Sequence, residues 1–292
     1  MNDFETIYLA LQRQCPQTVI HWLKQSLVSI ESSAKPSANH QIASSMTRRK
    51  SGDSPFTVKL TQMVNGPIEF RHWTTSDATR ILLNLALINV TISSLPTLLT
   101  KLYEYGDERE RAALLMGLII LDPKGLWVIK AEDCCRTNSL LLLTAIAMKN
   151  PYAAAHFSSR AFNQLVLKSL FLGLDITHIY GLEARRNKEL STMCADYIKE
   201  RVAANRNYPR SIWMAIRLSD CCSQTHERLA EQLSTSDEQN RYYAAIALKQ
   251  QTELPQLLKD CVQQQLNVET DNKVFTVLTQ LTTSKDLTDE IL

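Results

Sequence analysis

Between residues 3 and 30 apolar side chains recur every third or fourth position: Phe4, Ile7, Tyr8 and Leu11, then Val19, Ile20, Leu23 and Leu27. That period is the signature of a helix with one buried stripe, and Cys15-Pro16 interrupts it, because proline lacks a backbone donor and clashes with the preceding turn. Residues 1–30 are expected as a helical hairpin. Residues 31–55 break the pattern, with seven serines interleaved with Pro36, Asn39 and the triplet Arg48-Arg49-Lys50. A stretch so poor in apolar area does not offset its ordering entropy, so a mobile loop with a solvated basic triplet is expected.

Further along, Thr74-Thr75-Ser76-Asp77 precedes the apolar run 78–87 and Ser94 precedes 95–103, both as helix N-caps. Asp107-Glu108 opens a segment, 109–121, whose apolar residues cover nearly the whole circumference until Asp122-Pro123 ends it. A helix apolar all round must be enclosed by others. Segments 136–148 and 159–172 repeat the pattern and stop at Asn150-Pro151 and Gly173. No segment reads as a strand, and the fold class expected is all-α.

An internal echo gives the architecture. Asp107-Glu108-Arg109-Glu110-Arg111-Ala112-Ala113-Leu114-Leu115-Met116-Gly117-Leu118 aligns without gaps to Asp237-Glu238-Gln239-Asn240-Arg241-Tyr242-Tyr243-Ala244-Ala245-Ile246-Ala247-Leu248. Both resemble the second helix of HEAT-like repeats, in which each hairpin buries its apolar face against the next. The expectation is an irregular α-α superhelix of HEAT-like hairpins. It comprises an N-terminal hairpin (1–30), a Ser-rich loop (31–55), a helical core (56–216) and a C-terminal helical-repeat extension (217–292).

Composition agrees: of 292 residues 45% are apolar and 21% charged, and only 7 Gly and 9 Pro argue against turn-rich sheets and phosphate-cradling loops. A formal charge of +2 gives no reason to expect nucleic acid, leaving grip on a duplex by a HEAT-like face as a minor alternative. The extension is acidic, with 12 acidic against 7 basic residues, and fits a solvated end cap. The seven cysteines lack C-x-x-C spacing, which fits a reducing cytoplasm, and Cys222 with His226 is the only Cys/His pair at ligand-like spacing, so no metal site is expected. The acidic start, Met1-Asn2-Asp3-Phe4-Glu5, does not resemble a signal peptide, and the longest apolar runs fall short of the roughly 20 residues that cross a bilayer.

Polar residues placed against the helical pattern lie between 150 and 213. On the helix from Ser159, Gln164 and Lys168 form a narrow polar stripe, whereas Asn163 falls inside the apolar arc and is expected to be buried. A buried carboxamide needs a partner, either a loop such as 150–157 or a ligand. The next helix is expected to start at the N-cap Asn187 and to carry Asp196 and Glu200 one turn apart, with Arg185, Arg186 and Arg201 as ion-pair partners.

These residues also carry a resemblance. Asn150-Pro151-Tyr152, His156-Phe157, the run from Ala161 to Phe171, Gly181-Leu182, Arg186-Asn187, Asp196-Tyr197 and Glu200-Arg201-Val202-Ala203-Ala204 resemble the signature of the EboA family. Upstream, Trp73 to Arg80 and Arg136-Thr137-Asn138 resemble further family positions, so the likeness spans roughly residues 1–216. Leu165 stands where the family usually has methionine, and Ala154 where a second proline is frequent. The resemblance implies a bacterial gene cluster for a specialised metabolite, with partners that look like a UbiA-type membrane prenyltransferase, a sugar-isomerase-like barrel, a TatD-like hydrolase and a dehydroquinate-synthase-like cyclase.

The ligand- or partner-binding candidates are Arg136, Asn138, Tyr152, His156, Asn163, Gln164, Lys168, Arg186, Asp196, Tyr197, Glu200 and Arg201. No cofactor is expected, and the partners are other proteins of the cluster or a small pathway intermediate, with peripheral membrane contact left open. The leading expectation is a non-catalytic helical adaptor or metabolite-binding accessory protein. The rival is an enzyme acting on a phosphorylated or isoprenoid intermediate, with His156 as acid or base, Lys168, Arg186 and Arg201 holding the anion, and Asp196 or Glu200 orienting the base. Against the rival, the chain has no D-D-x-x-D, Walker, H-E-x-x-H or G-x-S-x-G motif.

Overall fold

A computed structural model describes residues 2–61 and 67–289, with side chains to residue 283. The chain is mostly helical and divides into two compact units, Met1–Phe157 and Ser158–Leu292, a division that falls inside the expected 56–216 core.

The first unit opens with the expected hairpin, α1 (Asp3–Gln14) and α2 (Gln17–Glu31), whose buried stripe is Ile7, Leu11, Val19, Ile20, Leu23, Leu27 and Ile30. The mobile loop expected next is instead a helix, α3 (Pro36–Ser51), with Pro36 in its first turn. Its buried residues, His40, Ala43, Ser44 and Thr47, keep helical spacing but are mostly polar. Each polar group is bonded: His40 to Asn84, Ser44 to Glu110, and the Thr47 hydroxyl to the carbonyl of Ala43. Because it buries hydrogen-bonding groups, α3 lacks the apolar stripe that marks most amphipathic helices. Arg48, Arg49 and Lys50 occupy its last turn, where cations complement the helix dipole, and Arg48 pairs with Asp53 at 2.5 Å.

A second correction follows directly. Strands β1 (Pro55–Leu60) and β2 (Ile68–Thr74) pair antiparallel, with Phe56 opposite Trp73, Val58 opposite Phe70 and Leu60 opposite Ile68. Phe56, Val58 and Leu60 are buried while Thr57 and Lys59 face outward, the period-2 alternation of a half-buried strand. The expectation that no strand exists is therefore wrong by one hairpin.

The core of this unit surrounds α4 (Thr75–Val90), which Thr74 and Asp77 start with a capping box. Helix α4 packs against α1, α2, α3, the hairpin and α6. Helix α5 (Leu95–Tyr105) leads to α6 (Glu108–Leu121), again opened by a capping box, Asp107 with Glu110. As expected for a helix apolar all round, α6 is enclosed, with α4, α5 and α8 against it. At Gly117 a Cβ would lie 2.7 Å from Ile81 Cγ1, so the α4–α6 approach requires glycine there. Three short helices close the unit: α7 (Val128–Cys134), α8 (Leu140–Ala147) and α9 (Pro151–His156).

The second unit holds α10 (Ser159–Phe171), the single turn α11 (Leu182–Arg185) and α12 (Lys188–Ala203), linked through 3-10 turns at Ile176–His178, Arg210–Ala215 and Leu218–Asp220. Then come α13 (Ser223–Leu233), α14 (Glu238–Lys249), α15 (Gln256–Val268) and α16 (Asn272–Asp289), with α13 against α14 and α15, and α16 against α14 and α15.

The two copies of the internal echo begin equivalent helices, α6 and α14, each capped by its aspartate. Arg111 donates to the carbonyls of Tyr103 and Glu104 in the preceding helix, and Arg241 to those of Thr235 and Ser236 in the preceding turn. In both places an arginine one turn into the helix holds the orphan carbonyls of the turn before it.

Candidate functional site

The polar signature around residue 150 works on its own backbone. Asn150 Nδ2 donates to the carbonyls of Leu115 and Ala145, both at 2.9 Å, and its Oδ1 accepts from Tyr152 N. Tyr152, fully buried, donates its hydroxyl to Asp122 Oδ2 at 2.7 Å, and the Asp122 carboxylate also accepts from the backbone N–H of Leu126 and Trp127. Burial, reinforced by the Asp122 carboxylate, raises the phenol well above its ordinary range, so Tyr152 stays a donor. The His156 ring packs tilted, at 55°, against Tyr152 with 4.8 Å between ring centroids, and leans on Gly125, where a Cβ would meet Nδ1 at 2.6 Å. Its Nε2 is buried with no hydrogen-bond partner among the described residues. Arg136, exposed, pairs with Asp133 at 3.6 Å, and Asn138 is exposed too.

In the second unit Asn163 is buried, as expected, and bonds side chains at the start of α12; the 150–157 segment expected as a loop is the helix α9 of the first unit. Asn163 and Asn187 exchange side-chain amide hydrogen bonds of 3.2 and 3.0 Å, and Asn163 also donates to Glu189. Asn187 caps α12 through Leu190 N, as its sequence position predicts, so the pair ties α10 to the start of α12. Arg186 donates to the carbonyl of Gln250 at 2.9 Å, and burial lowers its pKa. Arg201 donates to the carbonyl of Asn207. Gln164, Asp196 and Glu200 are exposed, Tyr197 is half-buried, and Lys168 lies over the Phe171 ring. Among the described residues neither Asp196 nor Glu200 forms a salt bridge; Arg186 pairs with Glu183 at 3.9 Å besides its bond to Gln250, its Nη1 is buried without an acceptor among the described residues, and Arg201 bonds the Asn207 carbonyl.

The site best suited to a ligand lies elsewhere, in the first unit. A cavity of about 440 Å³ opens between α3, α4, α5 and α6, within the range of about 300–1,000 Å³ typical of small-molecule sites. Each helix contributes residues one turn apart. Helix α3 gives Ser37, His40, Gln41 and Ser44; α4 gives Arg80, Asn84 and Leu87; α5 gives Leu98, Lys101, Leu102 and Tyr105; and α6 gives Glu110 and Leu114. Ser37, Gln41, Lys101 and Tyr105 are exposed and form the mouth, while His40, Ser44, Arg80, Asn84 and the leucines Leu87, Leu98 and Leu114 are buried below it.

The polar floor is held in place. His40 Nε2 bonds Asn84 Oδ1 at 2.8 Å, and burial lowers the imidazole's pKa against the opposing effects of this bond and of Glu110, keeping the ring neutral. The Glu110 carboxylate accepts from Ser44 Oγ at 2.5 Å and from the Asp107 backbone at 2.9 Å, so a capping carboxylate doubles as cavity wall. Arg80 is different: it is 4% exposed, its Nε is buried with no hydrogen-bond partner among the described residues, and no described residue forms an ion pair with it. A buried donor without an acceptor costs the desolvation that water would otherwise repay.

A second cavity, of about 560 Å³, lies in the second unit beside 205–210 and the start of α14. There Arg210 is neutralised, bonded to Asp237 and Asn240, each at 2.6 Å. None of the twelve residues singled out in the sequence lines either cavity. Arg80 and its neighbours were quoted only as part of the family likeness, and a charged residue inside an apolar helical run was the signal that could have found the floor.

Among the described residues no group of three His, Cys, Asp or Glu side chains is placed to hold a metal ion, and no helix is long and apolar enough to cross a membrane. No curated protein and no solved structure matches the chain. The family described as metabolite traffic protein EboA matches residues 4–217, covering the first unit with its cavity and the α10–α12 segment with its signature. The chain therefore belongs to the EboA family.

Proposed function

We propose that this chain is a non-catalytic accessory protein of a bacterial ebo-type specialised-metabolite pathway, and that it binds a small pathway intermediate in the α3–α6 cavity. The observation that carries this reading is Arg80, a residue 4% exposed in the wall of a cavity that opens to solvent, with its Nε buried and no hydrogen-bond or ion-pair partner among the described residues. The family's description as a metabolite traffic protein fits a site that holds a small molecule without transforming it. The seven unbridged thiols support a reducing, cytoplasmic setting.

On the same reading the helices are HEAT-like hairpins, supported by the matching Asp-cap and Arg-clamp at the starts of α6 and α14 and by the packing of α13–α14 on α15–α16. The partners are other proteins of the same gene cluster. The exposed part of the signature, Gln164, Asp196 and Glu200, is the part available to them, because Asn163 and Arg186 are committed to internal bonds.

Native mass spectrometry of the protein co-expressed with its cluster neighbours tests this reading, run beside a pull-down of those neighbours. A retained small molecule, lost from a variant whose cavity is filled by Leu98→Trp, is the expected result. A chain that carries no small molecule and captures no neighbour would contradict it.

A further inference from the structure

The cavity also defines the chemistry of its ligand. We propose that it binds an amphipathic small molecule with one anionic head, a carboxylate or phosphate monoester, seated on Arg80 with its apolar body against the leucines; this rests on the reading of the cavity as a ligand site.

Three observations point to an anion. Arg80 and Asn84 lie one turn apart on the same face of α4 and both line the cavity. The guanidinium has no partner among the described residues, and its planar fork matches the two oxygens of a carboxylate or phosphate. Asn84 spends its Oδ1 on His40, which leaves its Nδ2 hydrogens without an acceptor among the described residues and in reach of the same anion.

The other ionisable groups sharpen the choice. Among the described residues the only carboxylate lining the cavity is Glu110, which is already bonded to Ser44 and to the Asp107 backbone and forms no ion pair with Arg80. Lys101 adds a second positive charge at the mouth, while buried His40 stays neutral. The apolar part of the wall is Leu87, Leu98, Leu102 and Leu114, with the Tyr105 ring beside Ser37 and Gln41 at the mouth. A free inorganic anion would leave those leucines facing water, and a neutral apolar molecule would leave the guanidinium unpaired. A single molecule with both features answers both.

Isothermal titration calorimetry with decanoate, decyl phosphate, 1-decanol, decylamine and inorganic phosphate tests the proposal, on the full chain and on Arg80→Met. The expected order places decanoate or decyl phosphate at least tenfold tighter than decanol, with decylamine and inorganic phosphate weakest. In the Arg80→Met protein the preference for the anion over decanol should vanish while decanol binding persists. The variant should also melt no lower than the parent, because it removes a charged group that has no partner among the described residues. Equal binding of decanoate and decanol by the parent chain would overturn the anionic ligand while leaving the cavity a binding site. Binding by none of the five would overturn the cavity reading itself, and the proposal with it. Should Arg80→Met fail to fold, the parent's rank order still decides, and Arg80→Lys, which keeps the charge and loses the fork, should show intermediate selectivity.

Discussion

His40 Nε2 and Asn84 Oδ1 meet at 2.8 Å between α3 and α4, in the floor of the cavity. The contact fixes how two helices pack and which polar atoms face a ligand, so stability and binding are read at the same place. Asn84→Ala leaves a buried imidazole donor without an acceptor and should cost about 1–3 kcal/mol in urea unfolding. It should also weaken binding of an anion, whereas Thr47→Ser, on the same face of α3 but outside the cavity lining, should leave binding unchanged.

Acid should destabilise the first unit in a defined window. Burial lowers the pKa of His40, and burial with the nearby Lys149 charge pushes that of His72 down to about 4, from an ordinary 6.5. Above pH 6.5 neither the folded nor the unfolded chain protonates these rings. Below it the unfolded chain takes up a proton that folded His72 does not, so stability falls as the pH drops from 6.5 toward 4 by about 1.4 kcal/mol per pH unit, and His40 adds to the fall in the same direction. His72→Asn should reduce that slope in urea titrations at stepped pH; an unchanged slope would show that His72 is not a source of it.

In the second unit a two-pronged ion pair joins Arg241 to Glu269, with both contacts at 2.8 Å and the Glu269 side chain buried. The Arg241 hydrogen bonds hold the Glu269 pKa down at about 2 from an ordinary 4.5, so this contribution is present above 4.5 and lost as the pH falls from there toward 2. Arg241→Ala leaves a buried carboxylate and frees the carbonyls of Thr235 and Ser236, and should cost about 3–5 kcal/mol by urea denaturation. Its counterpart Arg111→Ala, which frees the carbonyls of Tyr103 and Glu104 but strands no buried acid, should cost about 1–2 kcal/mol.

Gly117→Ala should cost about 1–3 kcal/mol, since its Cβ would lie 2.7 Å from Ile81 Cγ1. Adding Ile81→Ala removes that clash, so the double variant should be less destabilised than the sum of the single ones, as a thermodynamic cycle of the four proteins would measure.

The most recognisable residues should matter for folding more than for binding. Tyr152→Phe removes the hydroxyl bond to Asp122, and Asn163→Ala breaks the amide pair with Asn187; each should cost about 1–3 kcal/mol. Neither residue lines the α3–α6 cavity, so ligand affinity there should stay within twofold of the parent.

Much of the helical framework was legible because its signals are local. Asp107 and Asn187 cap helices where their positions indicate, the all-round apolar segment of α6 is enclosed, and the repeated Asp…Arg pattern begins two equivalent helices. The β-hairpin was missed although Phe56, Val58 and Leu60 alternate, since the run is short and sits in a polar neighbourhood. Helix α3 was missed for a more instructive reason. Its buried face is His40, Ala43, Ser44 and Thr47; His40 and Ser44 bond Asn84 and Glu110, 44 and 66 residues away, and no periodicity of apolar residues reveals such pairing. The segment that broke the pattern is one of the four helices that line the cavity, and its inward residues there are polar.

The central claim is that Arg80 meets the ligand, and the side-chain Nε–H resonance of Arg80 reports on it directly. In a ¹⁵N-arginine-labelled protein titrated with decanoate, the account predicts that this signal, assigned by its loss in Arg80→Lys, shifts with saturation at the calorimetric stoichiometry, while those of Arg111 and Arg241 stay in place. A silent Arg80 signal in a protein that binds decanoate, or shifts confined to arginines of the second unit, would contradict it.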